Sequence, residues 1–216
     1  MVWDWSYVAA ILPQLLDGLR ITVIATVLGS LVALVLGLVF AVALRGPAPV
    51  RIAVRGLVEF VRSTPLLVQV FFLFFVLPQF GVVLGALVVG VIALGLHYAS
   101  YNAEIYRAGI DAVPRGQWEA ATALSLPRSR VWTGVVLPQA IPRVLPALGN
   151  NVISMFKETP LLIGIGVLDI VGRAREAGNV SFRHVEVYTI AGVLFLLLSY
   201  PAALLVRRLE RRVGSI

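Results

Sequence analysis

From Ile21 to Leu44 the chain carries no charged side chain. At 1.5 Å per residue, a helix of that length crosses the roughly 30 Å of hydrocarbon in a bilayer. Lipid offers no water to backbone N–H and C=O groups, so a spanning run must close its own hydrogen bonds as a helix. In water the same run would need cover on every side, and the rest of the chain cannot supply it. Of the 216 residues, 59% are hydrophobic and 13% charged, against about 25% charged in average usage. The chain is therefore read as an all-α membrane protein.

Further apolar runs follow: Pro65 to Phe80, rich in phenylalanine, Val82 to about Tyr106, Leu137 to Phe156, and Val187 to Val206. Together with the first they make five transmembrane helices. Trp3 to Arg20 reads as a separate amphipathic helix at the surface, with Trp3, Trp5 and Tyr7 at the interfacial belt. Lys157-Glu158-Thr159-Pro160 interrupts the fourth span, Leu161 to Val171 reads as a half-helix, and Arg173 to Glu186 as a charged loop. The first residues lack a basic stretch before an apolar one, so the first span is expected to stay in the mature protein. The domains are then an external or interfacial N-terminal segment (1–17), a transmembrane domain (18–208) and a cytoplasmic tail (209–216).

The formal net charge of +7 is carried almost wholly by arginine, in bands between the apolar runs. Arg45 to Arg62, Arg107 to Arg130, and the tail with Arg207, Arg208, Arg211 and Arg212 fall on one side of five spans. The positive-inside rule makes that side cytoplasmic, with the N-terminus outside and the C-terminus inside. Banded charge argues for topology rather than for nucleic-acid binding. The chain has no cysteine and two histidines, His97 and His184, so no metal site and no cofactor are expected. No Gly-x-x-x-x-Gly-Lys-Ser/Thr loop is present to hold phosphates, so ATP hydrolysis is not expected here and the chain is not read as an enzyme.

The loop from Arg107 to Arg130 holds a short helix. Pro114 suits its first turn, Glu119 complements its dipole, and Pro127 ends it. Ala120, Ala121, Ala123 and Ser125 give it a small-residue surface that another protein's groove could close around. An ordinary amphipathic linker is the plain alternative. Glu119-Ala120-Ala121, three residues, Ser125, and later Leu137-Pro138 resembles the EAA motif of binding-protein-dependent ABC importer permeases, with Ser125 where that family usually has glycine. Arg62-Ser63-Thr64-Pro65-Leu66-Leu67-Val68-Gln69 is similar to the signature of the polar amino acid permeases, the histidine and glutamine type. Ala103 to Arg107, Val113 to Ala121, and Asn150 through Thr159 resemble the same subfamily, and the final stretch is also similar to ectoine and hydroxyectoine permeases.

The resemblance implies the type I ABC importer permease fold with a cytoplasmic coupling helix. It implies a bacterial inner-membrane importer for a polar amino acid or a similar small zwitterion such as ectoine. The implied partners are a dimer of ATP-binding cassette subunits, a second permease, identical or homologous, and an external solute-binding protein. The ATPase-docking residues are then Arg115, Gly116, Glu119, Ala120, Ala121 and Ser125. A secondary transporter or channel without an ATPase partner is the other reading.

For the substrate path, the broken helix points to Lys157 for a carboxylate and Glu158 for an amine, with Thr159, Asn150 and Asn151 nearby, because broken helices place polar groups near the bilayer midplane. Mutual neutralisation of Lys157 and Glu158, and interhelical bonding by the asparagines, are the plain alternatives. Glu104 is either an ion pair with Arg107 or a gating contact, and Arg62 and Pro65 belong to the same gating or structural set. His97, Tyr98, Ser100, Tyr101 and Asn102 form a polar patch suited to packing or to substrate contact. Arg173, Arg175, Glu176 and Arg183 are either a solvated loop or a docking surface for the external binding protein.

Overall fold

The computed structural model describes residues 3–213, and every regular element among them is helical. Helix α1 (Trp5–Ala43) opens at Asp4, whose carboxylate accepts from the backbone N–H of Ser6 at 2.9 Å and of Tyr7 at 3.2 Å, satisfying two donors left free at a helix start. The separate surface helix expected over Trp3 to Arg20 is not formed: α1 continues through Arg20 and Ile21 without a break, carrying Pro13 inside it. The physical reason is an apolar partner for that half. Ile11 and Leu15 pack with Ile170, Ala174, Ala177, Val187 and Ala191. At Gly18 a Cβ would lie 2.7 Å from the Asp169 carbonyl oxygen and 2.8 Å from Ile170 Cα, so only glycine admits the contact.

Helix α2 (Ala48–Ser63) occupies what the sequence marks as a polar break. Pro65 caps α3 (Leu66–Phe71), which continues through a π-helical turn (Phe72–Val76) and a 3-10 turn (Leu77–Phe80). Helix α4 spans Ala86–Asp111. The short α5 (Arg115–Ala123) and α6 (Arg128–Arg130) lead through a π-helical stretch (Val131–Val136) into α7 (Leu137–Glu158). A 3-10 turn (Thr159–Ile165) replaces the expected half-helix. The expected charged loop is mostly α8 (Ile170–Ser181), capped by Asp169, and α9 (His184–Val213) follows. Helices α1 and α9 run unbroken past residues 17 and 208, and residues 214–216 of the expected tail lie outside the described residues.

Contacts fix the directions. Gly29 meets Leu94, Gly37 meets Asn102, and Arg45 pairs with Asp111, so α1 and α4 are parallel and the chain must return between them. Helices α2 and α3, joined by a 107° bend, make that return. Asn102 meets Asn151 and Tyr98 meets Glu158, so α7 is antiparallel to α4. Gly149 against Val206 and Phe156 against Phe195 make α9 antiparallel to α7. Five crossings result. Helices α1, α4 and α9 are each long and apolar enough to span alone, and the α2–α3 pair qualifies together. Helix α7 carries more polar residues, and it is sheltered by packing on α1, α4 and α9.

The α2–α3 bend is held by one side chain. Gln69 Nε2 donates to the Val61 carbonyl at 2.7 Å, the Thr64 carbonyl at 3.0 Å and the Thr64 hydroxyl at 2.9 Å. They add to bonds made within the turn, where the Val61 carbonyl also accepts from the Thr64 N–H at 3.4 Å and the Thr64 hydroxyl at 3.1 Å. The amide oxygen of Gln69 faces His97 Nδ1 of α4 at 3.3 Å.

Candidate functional site

Two regions carry the residues singled out by sequence. The first is α5. Its inner side is clamped to the chain: Ala121 is 2% exposed, the Trp118 and Trp132 rings meet edge to face at 5.5 Å, and both tryptophans pack on a cluster of Ile110, Val113, Val136 and Ala140. Arg143 of α7 donates to the Ala112 carbonyl at 2.6 Å, and Gln139 donates to Gln117 at 3.3 Å. Arg143 thus ties α7 to the end of α4, and Gln117 with Trp118 fastens α5 to the stretch that leads into α7. Arg115, Gly116, Glu119, Ala120 and Ser125 are exposed. Ala121, grouped with them by the family pattern, is turned the other way, because a helix advances 100° per residue and Ala121 shares the inward face with Trp118. Leu124, 72% exposed at the end of α5, was not singled out; an apolar residue beside Glu119 and Ala120 on a polar helix was the available signal.

Helix α5 stops in a left-handed turn. Leu126 N–H donates to the Ala121 carbonyl at 3.1 Å and Ser125 N–H to the Thr122 carbonyl at 2.9 Å, with Ser125 at φ 51°. This is the geometry that favours glycine, and it gives a physical reason for glycine at that place in the family pattern. Ser125→Gly is expected to raise stability by about 1 kcal/mol, the approximate cost of a left-handed non-glycine residue, read as a higher denaturation midpoint of the purified chain.

The second region lies where α7 ends beside the middle of α4. The Tyr98 hydroxyl donates to Glu158 Oε2 at 2.9 Å. The rings of His97, Tyr98 and Tyr101 lie together, with centroids 5.3 to 6.2 Å apart, and the Arg62 guanidinium sits 5.3 Å from the Tyr101 centroid. One turn toward the other end, Asn151 Nδ2 donates to Asn102 Oδ1 at 2.8 Å. Glu158 and Asn151 are half-buried on the α4 side of α7. Both lie at bilayer depth, where a carboxylate needs partners or a cavity.

Lys157 does not share this site. It faces a groove of about 480 Å³ with Pro160, Gly192, Phe195, Leu196 and Ser199, on the α9 side. Asn150 likewise turns toward α9, donating to Glu210 Oε1 at 3.2 Å. Thr159 is fully buried, and its hydroxyl donates to the Phe156 carbonyl at 3.0 Å with Asp169 Oδ2 at 3.5 Å. That contact ties the break after α7 to the cap of α8. Glu104 and Arg107 form a two-bond ion pair at 2.9 and 3.0 Å within α4. No group of three or more acidic, histidine or cysteine side chains suited to a metal ion is found among the described residues.

Exposed polar side chains on α8 include Arg175, Glu176 and Asn179, and they border a shallow cavity of about 240 Å³. Arg173 pairs with Glu176 at 2.9 Å. Arg183 bridges Asp4 at 3.4 Å and Glu186 at 3.2 Å and lies over the Tyr7 ring at 5.3 Å, which pins the start of α1 to α9.

Residues 33–215 match the family model described as binding-protein-dependent transport system inner membrane component. The chain is 45% identical over 206 residues to the probable amino-acid ABC transporter permease protein y4tG of Sinorhizobium fredii, covering 94% of this chain and 89% of the relative. It is 33% identical to the arginine transport system permease protein ArtQ of Bacillus subtilis, covering 98% of each. It is 34% identical to the glutamine transport system permease protein GlnP of Escherichia coli, covering 99% of each. Among solved structures, an amino acid ABC transporter crystallised with histidines superposes with a TM-score of 0.91 at 34% identity, over 98% of this chain and 100% of that one. The inward-facing MetNI methionine ABC transporter shares the fold, with a TM-score of 0.73 at 19% identity over 98% of this chain and 99% of that one.

Proposed function

This chain belongs to the family of binding-protein-dependent transport system inner membrane components, and from that premise we propose how its two sites divide the work of import. It is the multi-pass permease subunit of an amino-acid ABC importer, a family whose ATP hydrolysis resides in a separate subunit. The family implies an ATPase, a second permease and a solute-binding protein as partners. The α5 side of the membrane is cytoplasmic, on the strength of the arginines banded there, so the N-terminus is outside and the C-terminus inside. Two copies of the ATPase engage the coupling helices α5 of this chain and of a second, identical or homologous permease.

The exposed edge of α5, formed by Arg115, Gly116, Glu119, Ala120, Leu124 and Ser125, is the docking surface, and Ala121 is its inward anchor. The observation that carries this reading is that α5 leaves Arg115, Gly116, Glu119 and Ala120 exposed outward while Trp118 on Trp132 and Gln117 on Gln139 fasten its other side to the stretch that leads into α7. A push on α5 therefore moves α7, and α7 ends at Glu158. That is a mechanical route for alternating access, in which closure of the ATPase draws the coupling helices together and reorients the spans.

The substrate is a polar amino acid. Glu158, with Tyr98 and the neighbouring rings of His97 and Tyr101, receives its ammonium group by charge and cation–π attraction. Asn151 and Asn102 continue the same polar stripe. The exposed face of α8, with Arg175, Glu176 and Asn179, meets the external binding protein. Reconstituting the chain with its ATPase, a second permease and the solute-binding protein in liposomes is expected to give uptake that stops without ATP or without the binding protein. Uptake that follows the solute gradient in the absence of ATP would make the chain a secondary transporter and overturn this proposal.

A further inference from the structure

A zwitterion leaves one charge unanswered at the site around Glu158. Lys157, next to it in sequence, turns into the groove on the α9 side. Arg107, farther along α4, is held by Glu104 through two bonds at 2.9 and 3.0 Å. Neither is placed to meet a carboxylate beside Tyr98.

The aromatic row on α4 leads to a third cation. Tyr98 and Tyr101 are neighbours on one helix face, with ring centroids 6.2 Å apart. Glu158 closes the Tyr98 end, accepting from its hydroxyl at 2.9 Å. Arg62, near the end of α2, closes the Tyr101 end, its guanidinium 5.3 Å from the ring centroid. A carboxylate and a guanidinium thus stand at opposite ends of one continuous run of contacts. Different elements bring them there, since α4 packs on α7 and also on α2. Gln69, which holds the α2–α3 bend, faces His97 of the same row and so fixes the end of α2 from which Arg62 extends.

Depth and exposure give Arg62 a task. Tyr101 lies roughly 15 Å of helix before Asp111, which pairs with Arg45 at the end of α4. Arg62 is exposed on this chain, and no carboxylate lies within 4 Å of it among the described residues. A guanidinium facing lipid is costly, and intramembrane arginines face a bundle interior or a water-filled cavity. The contact with the Tyr101 ring orients the group and leaves its N–H donors open to an acceptor. Its planar fork matches a carboxylate through two parallel bonds.

We propose that Arg62 receives the carboxylate of the transported amino acid, with the Tyr98–Tyr101 row lying between it and Glu158. The assignment rests on Glu158 being the ammonium site. The path then reads both ends of a zwitterion, and a solute lacking either charge meets only one of the two.

The test uses this chain, its second permease and the ATPase together in nanodiscs, without the solute-binding protein, which would add its own selection. The probes are the common L-amino acid that the complete importer takes up and the α-amide of that amino acid, with binding read by saturation-transfer NMR. The unmodified assembly is expected to bind the acid at least about 10-fold more tightly than the amide, the factor that a hydrogen bond between ionised partners contributes. R62Q should abolish this preference by weakening the acid alone. R62K, which keeps the charge and loses the fork, should keep part of it. R55Q, about two turns earlier on α2 and also exposed, should keep all of it. Equal binding of acid and amide by the unmodified assembly overturns the proposal. So does an R62Q assembly that weakens both alike, the pattern of an arginine held by the second permease or needed only for the bend. Glu158→Gln checks the ammonium site separately, and it should weaken acid and amide together because both carry that group. Loss of the preference in R62Q beside unaltered binding in Glu158→Gln would keep Arg62 as the carboxylate site and remove the ammonium from Glu158. Uptake of none of the common L-amino acids by the complete importer would overturn both assignments.

Discussion

Glu158→Gln is expected to lower ATP-driven uptake by roughly 10- to 100-fold while membrane insertion and ATPase binding stay normal. The substitution keeps the shape of the side chain and removes its charge. A hydrogen bond to an ionised partner contributes about 1.5–3 kcal/mol, and a factor of ten corresponds to 1.4 kcal/mol, which gives the range. Glu158 sits half-buried beside the middle of α4 with Tyr98 donating to it at 2.9 Å. A carboxylate at that depth persists only where it has work or a partner. Two companion variants separate recognition from architecture. Tyr98→Phe removes one donor from Glu158 and should cost less than loss of the charge. Lys157→Gln should leave uptake near the unmodified level, because Lys157 faces Phe195 and Ser199 across a different groove. If Glu158→Gln and the unmodified protein take up substrate alike, the ammonium site lies elsewhere and α7 contributes only packing.

The contrast between Lys157 and Glu158 illustrates what sequence could and could not tell. The crossings were legible because lipid demands long uncharged runs and because arginine bands mark their ends. The break at Thr159 was legible from charge and proline in an apolar context. Which way each polar side chain turns was not. Adjacent residues on a helix diverge by 100°, so a Lys-Glu dipeptide cannot serve one small ligand from one face, and the same divergence separates Asn150 from Asn151 and Ala120 from Ala121. Helix α8 was taken for a loop because its outward side is charged while Ile170, Ala174 and Ala177, the residues that seat it, are few. The continuity of α1 was hidden for a related reason. Its first half looks amphipathic until α8 and α9 supply a partner for Ile11 and Leu15, a long-range contact that no local pattern records. Ser125 was flagged by motif, and only backbone geometry explains why glycine suits its place.

Leu124→Glu is expected to weaken ATPase binding by at least 30-fold, with the permease itself folding normally. Leu124 is 72% exposed in the isolated chain, so the substitution costs the permease little where water solvates the new carboxylate. In a closed cleft the same carboxylate would be buried without a partner, and truncating or mismatching a central interface residue costs about 2 kcal/mol or more. The neighbouring position gives the opposite dissection. Ala121→Leu places three more carbons into the packed interior between α5 and the start of α7, so it should destabilise the chain by about 1–3 kcal/mol through overpacking before any partner is added. The two variants thus fail at different stages, one in assembly and one in folding, and pull-down of the ATPase beside a denaturation curve tells them apart. Normal ATPase binding by Leu124→Glu would mean that the cleft does not close over the end of α5. The docking edge would then be limited to Arg115, Gly116, Glu119 and Ala120, and force from the ATPase would reach α7 only through the first turns of α5, where Gln117 and Trp118 meet Gln139 and Trp132.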